Sequence, residues 1–182
     1  FITQYVPAQN IEDLYDTLWL RFKRFVDTDD AIVVKARGTR PLLNNAGTPL
    51  QTSITWTSTT TFTVTLSATD DALEVGDEVE VLSGPNAGFL AHITIISGAH
   101  AASQTITIDE TVNTGSGVSV SARFDRWKKL GTITSNTVYS APLNIGINGS
   151  FIQFKVELRG VPYEVEVNDL IFNSEMSKNI KR

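Results

Sequence analysis

Two histidines, His92 and His100, are the only imidazoles in a chain of 182 residues that contains no cysteine. Acid–base, metal and thiol chemistry therefore have few residues to draw on. His92 stands in "LAHITII", where strand alternation sets it opposite Ala91 and Ile93, so an outward or rim position is expected rather than a general base. Neither histidine sits in HExxH or another spacing that brings two ligands to one metal. The absence of cysteine removes disulfides, thiolate metal sites and a Cys nucleophile together. GxSxG, the P-loop and GxGxxG are missing, and "GSG" at 115–117 and "GING" at 146–149 read as turn glycines. No catalytic, cofactor-binding or metal-ligating residue is expected, and no enzymatic activity.

The acidic residues offer a second set of candidates. "DTDD" presents Asp27, Asp29 and Asp30 as oxygen ligands for Ca²⁺, but it lacks the glycine and bidentate glutamate of an EF-hand loop, and a solvated acidic turn explains it. Asp70-Asp71 and Asp109-Glu110 read the same way, because a glycosidase pair needs a defined separation in a cleft. Trp19, Trp56 and Trp127 could stack on a sugar ring; packing where two domains meet is the plainer reading. Asn148-Gly149-Ser150 fits a glycosylation sequon and equally a turn before a strand.

The elements that must position these residues are strands. "TLWLRFKRFV" alternates Leu18, Leu20 and Phe22 with Trp19, Arg21 and Lys23, and "AIVVKAR" follows the "DTDD" turn, so residues 17–37 are expected to form a hairpin. "FIQFKVELRG" places Ile152, Phe154, Val156 and Leu158 on one face and Gln153, Lys155, Glu157 and Arg159 on the other; with "YEVEVNDLIF" it predicts a second hairpin. Trp127, Leu130 and Ile133 supply a further strand. Only "NIEDLYDTLW" has helical spacing (Ile11, Leu14, Tyr15, Leu18), with Asn10 as N-cap; it fits a short helix or an irregular lead-in. Two-stranded hairpins cannot close a core alone. The fold class expected is all-β, an antiparallel β-sandwich of residues 11–41 plus 123–174 interrupted by a small β-barrel at 50–121, with terminal extensions 1–10 and 175–182. The barrel segments "TTTFTVTL", "EVEVL", "GFLAHITII", "QTITI" and "GVSVSA" point to five or six short strands in a closed or nearly closed barrel, since closure is how so few short strands remove their edges.

Charge divides the chain in the same place. Leu42 to Ala122 contains no Lys or Arg and eight acids, about −8, whereas fifteen cations against twelve acids leave the remainder at about +3. No run of about 18 apolar residues occurs, so membrane insertion is not expected. With Phe1 first and Met176 the single methionine, the chain is expected to begin inside a longer polypeptide.

"EVGDEVEVLSGPNAGFLAHITII", Glu74 to Ile96, is similar to the KOW motif of small SH3-like barrels: Gly76-Asp77 precedes a strand, Val79 and Val81 point inward, and Gly84 to Gly88 turn into the next strand. KOW proteins that hold RNA carry Lys and Arg around this turn. Here there is none, and an insert near −8 repels phosphate, so nucleic-acid binding is not expected.

"FDRWKKLGTI", "APLNIGINGSFIQFKVELRG" and "PYEVEVNDLIF", over roughly 15–41 and 123–174, resemble β-sandwich modules of tailed-bacteriophage virion proteins. The resemblance implies a structural role in the virion, in tail, fibre or neck, among other virion proteins and as a homo-oligomer, with no catalytic residue carried over. A carbohydrate-binding adhesion module for a host surface glycan is the alternative; a lyase or hydrolase accessory domain stands third.

Overall fold

The computed structural model describes residues 6–7, 14–22, 31–133, 140–148, 151–159 and 167–175, with side chains over 31–133 and 152–157. Among the described residues every regular element is a strand, and the chain divides into two compact units. One is discontinuous, Phe1–Thr39 with Lys129–Arg182; the other is Arg40–Lys128.

The continuous unit is a closed antiparallel barrel. Its strands are β4 (Gln51–Trp56), β5 (Thr61–Thr65), β6 (Glu78–Val81), β7 (Leu90–Ser97), β8 (Ser103–Ile108) and β9 (Ser119–Asp125), in the order β4-β5-β8-β7-β6-β9. Pairing of β9 with both β6 and β4 closes the ring, so no barrel edge is left as a template for another chain. Alternation fills it: Ile54, Trp56, Phe62, Val64, Val79, Val81, Ala91, Ile93, Ile106, Ile108, Val120, Ala122 and Phe124 form one buried cluster. A bulge between Ile93 and Ile95 reverses the phase of β7, so Ile95 faces solvent while Ile96 packs against the core.

One strand completes the expected five or six, and one boundary departs from the expected barrel. The first strand, "QTSITW", stands out less in the sequence than its partners because Ser and Thr fill its outer positions. The last strand runs past Ala122: Arg123, Phe124 and Asp125 pair with β6, so residues 123–128 belong to the barrel unit and not to the discontinuous one. The charge division shifts with this boundary. Arg40–Lys128 holds four cations and nine acids, a net of −5, and the rest of the chain balances eleven against eleven. The discontinuous unit is therefore neutral, not positive.

The hairpin between β7 and β8 turns at Gly98, whose φ of +101° suits glycine alone. A Cβ there would lie 2.9 Å from the carbonyl oxygen of Ser103, which the next strand holds in place. Gly98→Ala is expected to lower stability by about 1–2 kcal/mol from the left-handed φ alone, with the backbone contact adding to it. Urea unfolding followed by circular dichroism measures the effect; an unchanged midpoint contradicts it.

The discontinuous unit contains two sheets. β1 (Val6–Pro7), β12 (Phe151–Arg159), β3 (Ala31–Arg37) and β10 (Lys128–Ile133) lie in the order β1-β12-β3-β10, and β11 (Ser140–Asn148), β2 (Leu14–Phe22) and β13 (Val167–Glu175) lie in the order β11-β2-β13. Neither expected hairpin forms. β2 pairs with β11 and β13 while β3 pairs with β12, so the consecutive strands are in different sheets. Alternation identifies a strand and its buried face but not its neighbour, and connections of eight residues (23–30) and seven (160–166) exceed the two to five of a usual hairpin. The helical spacing at Leu14, Tyr15 and Leu18 is overridden too: β2 is a nine-residue strand bonded on both sides, and ladder bonding outweighs local propensity.

β3 is buried along both faces from Ile32 to Arg37, so the polar row of β12 meets charge rather than water. Lys35 Nζ donates to Glu157 Oε1 at 2.8 Å, Lys155 Nζ lies 3.0 Å from the same oxygen, and Arg37 Nε donates to Gln153 Oε1 at 2.9 Å. Burial raises the Glu157 carboxyl, but the hydrogen bonds from Lys35 and Lys155 outweigh it and hold the group below its ordinary value.

Candidate functional site

The residues that could do chemistry in the barrel unit gather where β6 begins. Glu74 to Asp77 form a tight turn, with Asp77 N donating to Glu74 O and Gly76 at φ +89°. A Cβ on Gly76 would sit 3.0 Å from the Lys128 Cδ, so glycine leaves room for that lysine to reach inward. The Asp77 carboxylate is fully buried and accepts from Glu74 N (2.8 Å), Arg126 Nη1 (2.9 Å) and Lys128 Nζ (2.8 Å). Arg126 also reaches Glu74 and the carbonyl of Ala72, and Lys128 the carbonyl of Val75. Desolvation pushes the Asp77 carboxyl above its ordinary value, against the opposing pull of Lys128, the Glu74 amide and Arg126.

The next residue outward is His92, which register places beside Glu78. It is buried, 5 % exposed, and not at the rim. Asp109 clamps it: Oδ1 accepts from His92 N at 2.7 Å, Asp109 N donates to His92 O at 3.0 Å, and Oδ2 lies 3.5 Å from Nδ1. Nε2 faces Glu78 Oε2 at 4.0 Å. A carboxylate that orients an imidazole is half of a hydrolytic triad. Here the other ring nitrogen faces a second carboxylate, Glu78, in place of a hydroxyl, so the imidazole lies between an acid of another strand and an acid of a connection.

Asp70 and Asp71 also serve the frame. Asp70 accepts from Ser67 N and Asn45 N. Asp71 takes both terminal nitrogens of Arg40 at 2.6 and 2.8 Å and the amide of Leu43 at 2.8 Å. The hydrogen bond from Arg40 carries the Asp71 carboxyl below its ordinary value, against the small upward effect of burial and with help from Leu43 N. A carboxyl lowered in the folded state supplies stability above its unfolded value and loses it as pH falls. The urea midpoint is thus expected to fall below about pH 4, and less steeply in Asp71→Asn; an identical acid limb in parent and variant contradicts this.

All four cations of this unit are paired: Arg40 with Asp71, Arg123 with Glu80, Arg126 with Glu74 and Asp77, and Lys128 with Asp77. A phosphate backbone would have to displace acids already in place. The "SGPNAG" turn carries positive φ at Gly84 and Gly88, and Val79 and Val81 are fully buried, so its glycines serve chain geometry.

Neither Trp56 nor Trp127 offers a stacking face. Trp56 is 1 % exposed and meets Phe62 edge-on, ring centroids 5.3 Å apart, and Trp127 is buried as well. Trp19 is placed on β2 by its backbone. Gly117 donates to Trp56 O in a turn, Gly146 lies within β11, and Asn148 ends that strand. Asp27, Asp29 and Asp30, like Gly149 and Ser150, fall outside the described residues. Among the described residues no group of three or more His, Asp or Glu is placed to hold a metal, and no helix is long and apolar enough to cross a membrane.

The Asp77–Arg126–Lys128 network was hidden because its members are about fifty residues apart in sequence. The Gly76-Asp77 pair before a strand was its only local signal. Comparison of the chain with protein-family models, with curated proteins and with solved structures finds no match.

Proposed function

We propose that the chain is a non-enzymatic structural component of a tailed-phage virion, in the tail, its fibres or the neck, and that the two sheets of its discontinuous unit pack as a β-sandwich carrying the barrel as an insertion. The observation that carries this reading is the engagement of the barrel's reactive side chains in its own frame: four cations each on an acid, and the buried His92 ring between Asp109 and Glu78. The pattern "FDRWKKLGTI" with "FIQFKVELRG" supplies the likeness to virion modules. Immunogold microscopy of tailed particles, with antibodies to the chain, tests the reading. Gold confined to the tail or neck supports it; unlabelled particles overturn it.

The carbohydrate-binding alternative keeps one favourable observation. Register aligns Ser119, Thr55, Thr63, Thr105 and Ser97 in a row of outward hydroxyls across five strands. Thr55 and Ser119 already satisfy each other at 2.8 Å. A host-glycan array probed with the chain separates the readings, since binding lost in Thr63→Val and Thr105→Val would favour adhesion.

A further inference from the structure

The discontinuous unit carries no net charge to draw it onto the acidic barrel unit of another copy, and its strand edges offer another means of joining copies. Four strands have a partner on one side only among the described residues: β1, β10, β11 and β13. Three of these edges carry features that discourage further pairing. β1 is two residues long and ends in Pro7; β10 carries the exposed Lys129; and the longest regular run of β11, Ser140 to Asn144, has Pro142 at its centre. β13 has no proline, lysine or arginine. Its irregularities fall between Val167 and Asp169 and between Asn173 and Ser174, leaving Asp169 to Asn173 in unbroken register with Arg21 to Thr17.

That five-residue run, "DLIFN", is self-complementary. Laid antiparallel on its own copy about Ile171, Leu170 meets Phe172 and Asp169 meets Asn173, while Val167 and Glu175 at the strand ends also meet. No acid opposes an acid. A parallel in-register pairing would instead set Asp169 on Asp169 and Glu175 on Glu175, which is unfavourable. A two-fold axis at Ile171 serves whichever backbone groups point outward, because a residue on the axis pairs with its own copy in either ladder position.

We propose that β13 is a homodimerisation edge, joining two copies antiparallel about Ile171 so that two three-stranded sheets become one of six strands. The proposal deepens the assembly reading above and rests on it only for the expectation of several copies. Because the chain has no cysteine, a single introduced thiol reports the register. Opposed Cα atoms in an antiparallel pair are about 4.5–5.5 Å apart, within disulfide reach.

The test is light scattering of the unaltered chain together with mild oxidation of Ile171→Cys and Val167→Cys. A dimer in solution, with cross-linking in Ile171→Cys and none in Val167→Cys, is expected. If Ile171→Cys fails to fold, Asp169→Cys mixed with Asn173→Cys takes its place, cross-linking as a mixture and not separately. An oligomer without those cross-links overturns the edge assignment and leaves assembly by another surface standing. A monomer at all concentrations also overturns it, and recovery of that monomer in particles would leave the virion reading intact.

Discussion

Replacing Trp56 by alanine is expected to cost about 3–5 kcal/mol, the largest single effect in the barrel. The side chain is among the largest fully buried ones and touches Phe62, which in turn packs on Phe124 at a centroid distance of 6.2 Å. In a closed barrel of six short strands, no neighbouring layer can collapse into the cavity left by an indole. Trp56→Phe is expected to cost less than half as much. It keeps the edge-on contact and removes an indole N–H that finds no acceptor among the described residues. Urea unfolding of the parent and both variants, followed by far-ultraviolet circular dichroism, measures the order. Trp56→Ala with the parent's midpoint contradicts the core as described, and selective loss of glycan binding without loss of stability would return Trp56 to a surface role.

The second large effect is at Asp77. Asp77→Ala leaves the Arg126 and Lys128 head groups facing each other without the anion between them, and removes the acceptor for Glu74 N. Breaking a buried pair by removing one partner costs about 3–5 kcal/mol. Asp77→Asn retains an acceptor oxygen and carries no buried charge. Because desolvation already pushes the Asp77 carboxyl upward, the asparagine variant is expected to be distinctly more stable than the alanine variant.

The pH dependence at this site has the opposite sign to that of Asp71 and Glu157. A carboxyl raised in the folded state binds its proton more tightly there than in the unfolded chain, so its contribution declines as pH rises through the interval between the two values. Asp77→Asn removes that decline and leaves the acid loss due to Asp71 and Glu157. Equal midpoints for Asp77→Ala and Asp77→Asn at neutral pH would show that the network contributes nothing through its hydrogen bonds.

The barrel was legible in the sequence because most of its strands alternate: Phe62 and Val64, Val79 and Val81, Val120 and Ala122 all point inward, and only β7 changes phase, at its bulge. Strand partners were not legible. The alternation of "FIQFKVELRG" is the same whether β12 lies beside β13 or beside β3, and only the three-dimensional register sets Phe154 against Ala36. Burial of polar side chains was also hidden. Lys35 within "AIVVKAR" looks like a solvent-facing residue until Glu157 and Lys155 are brought onto it from more than a hundred residues away. His92 shows the same limit: alternation turns it away from the core holding Ala91 and Ile93, as observed, but Glu78 and Asp109 then cover the outward ring. A local period describes a residue's side of its strand, and long-range partners decide whether that side is wet.

The most direct test of the structural role is the copy number of the chain in purified tailed particles, measured by quantitative mass spectrometry against the soluble fraction of the same lysate. The account predicts recovery in the particles at a fixed, multiple copy number that survives washing in high salt, because strand pairing and packing are weakly screened. Recovery confined to the soluble fraction would contradict it.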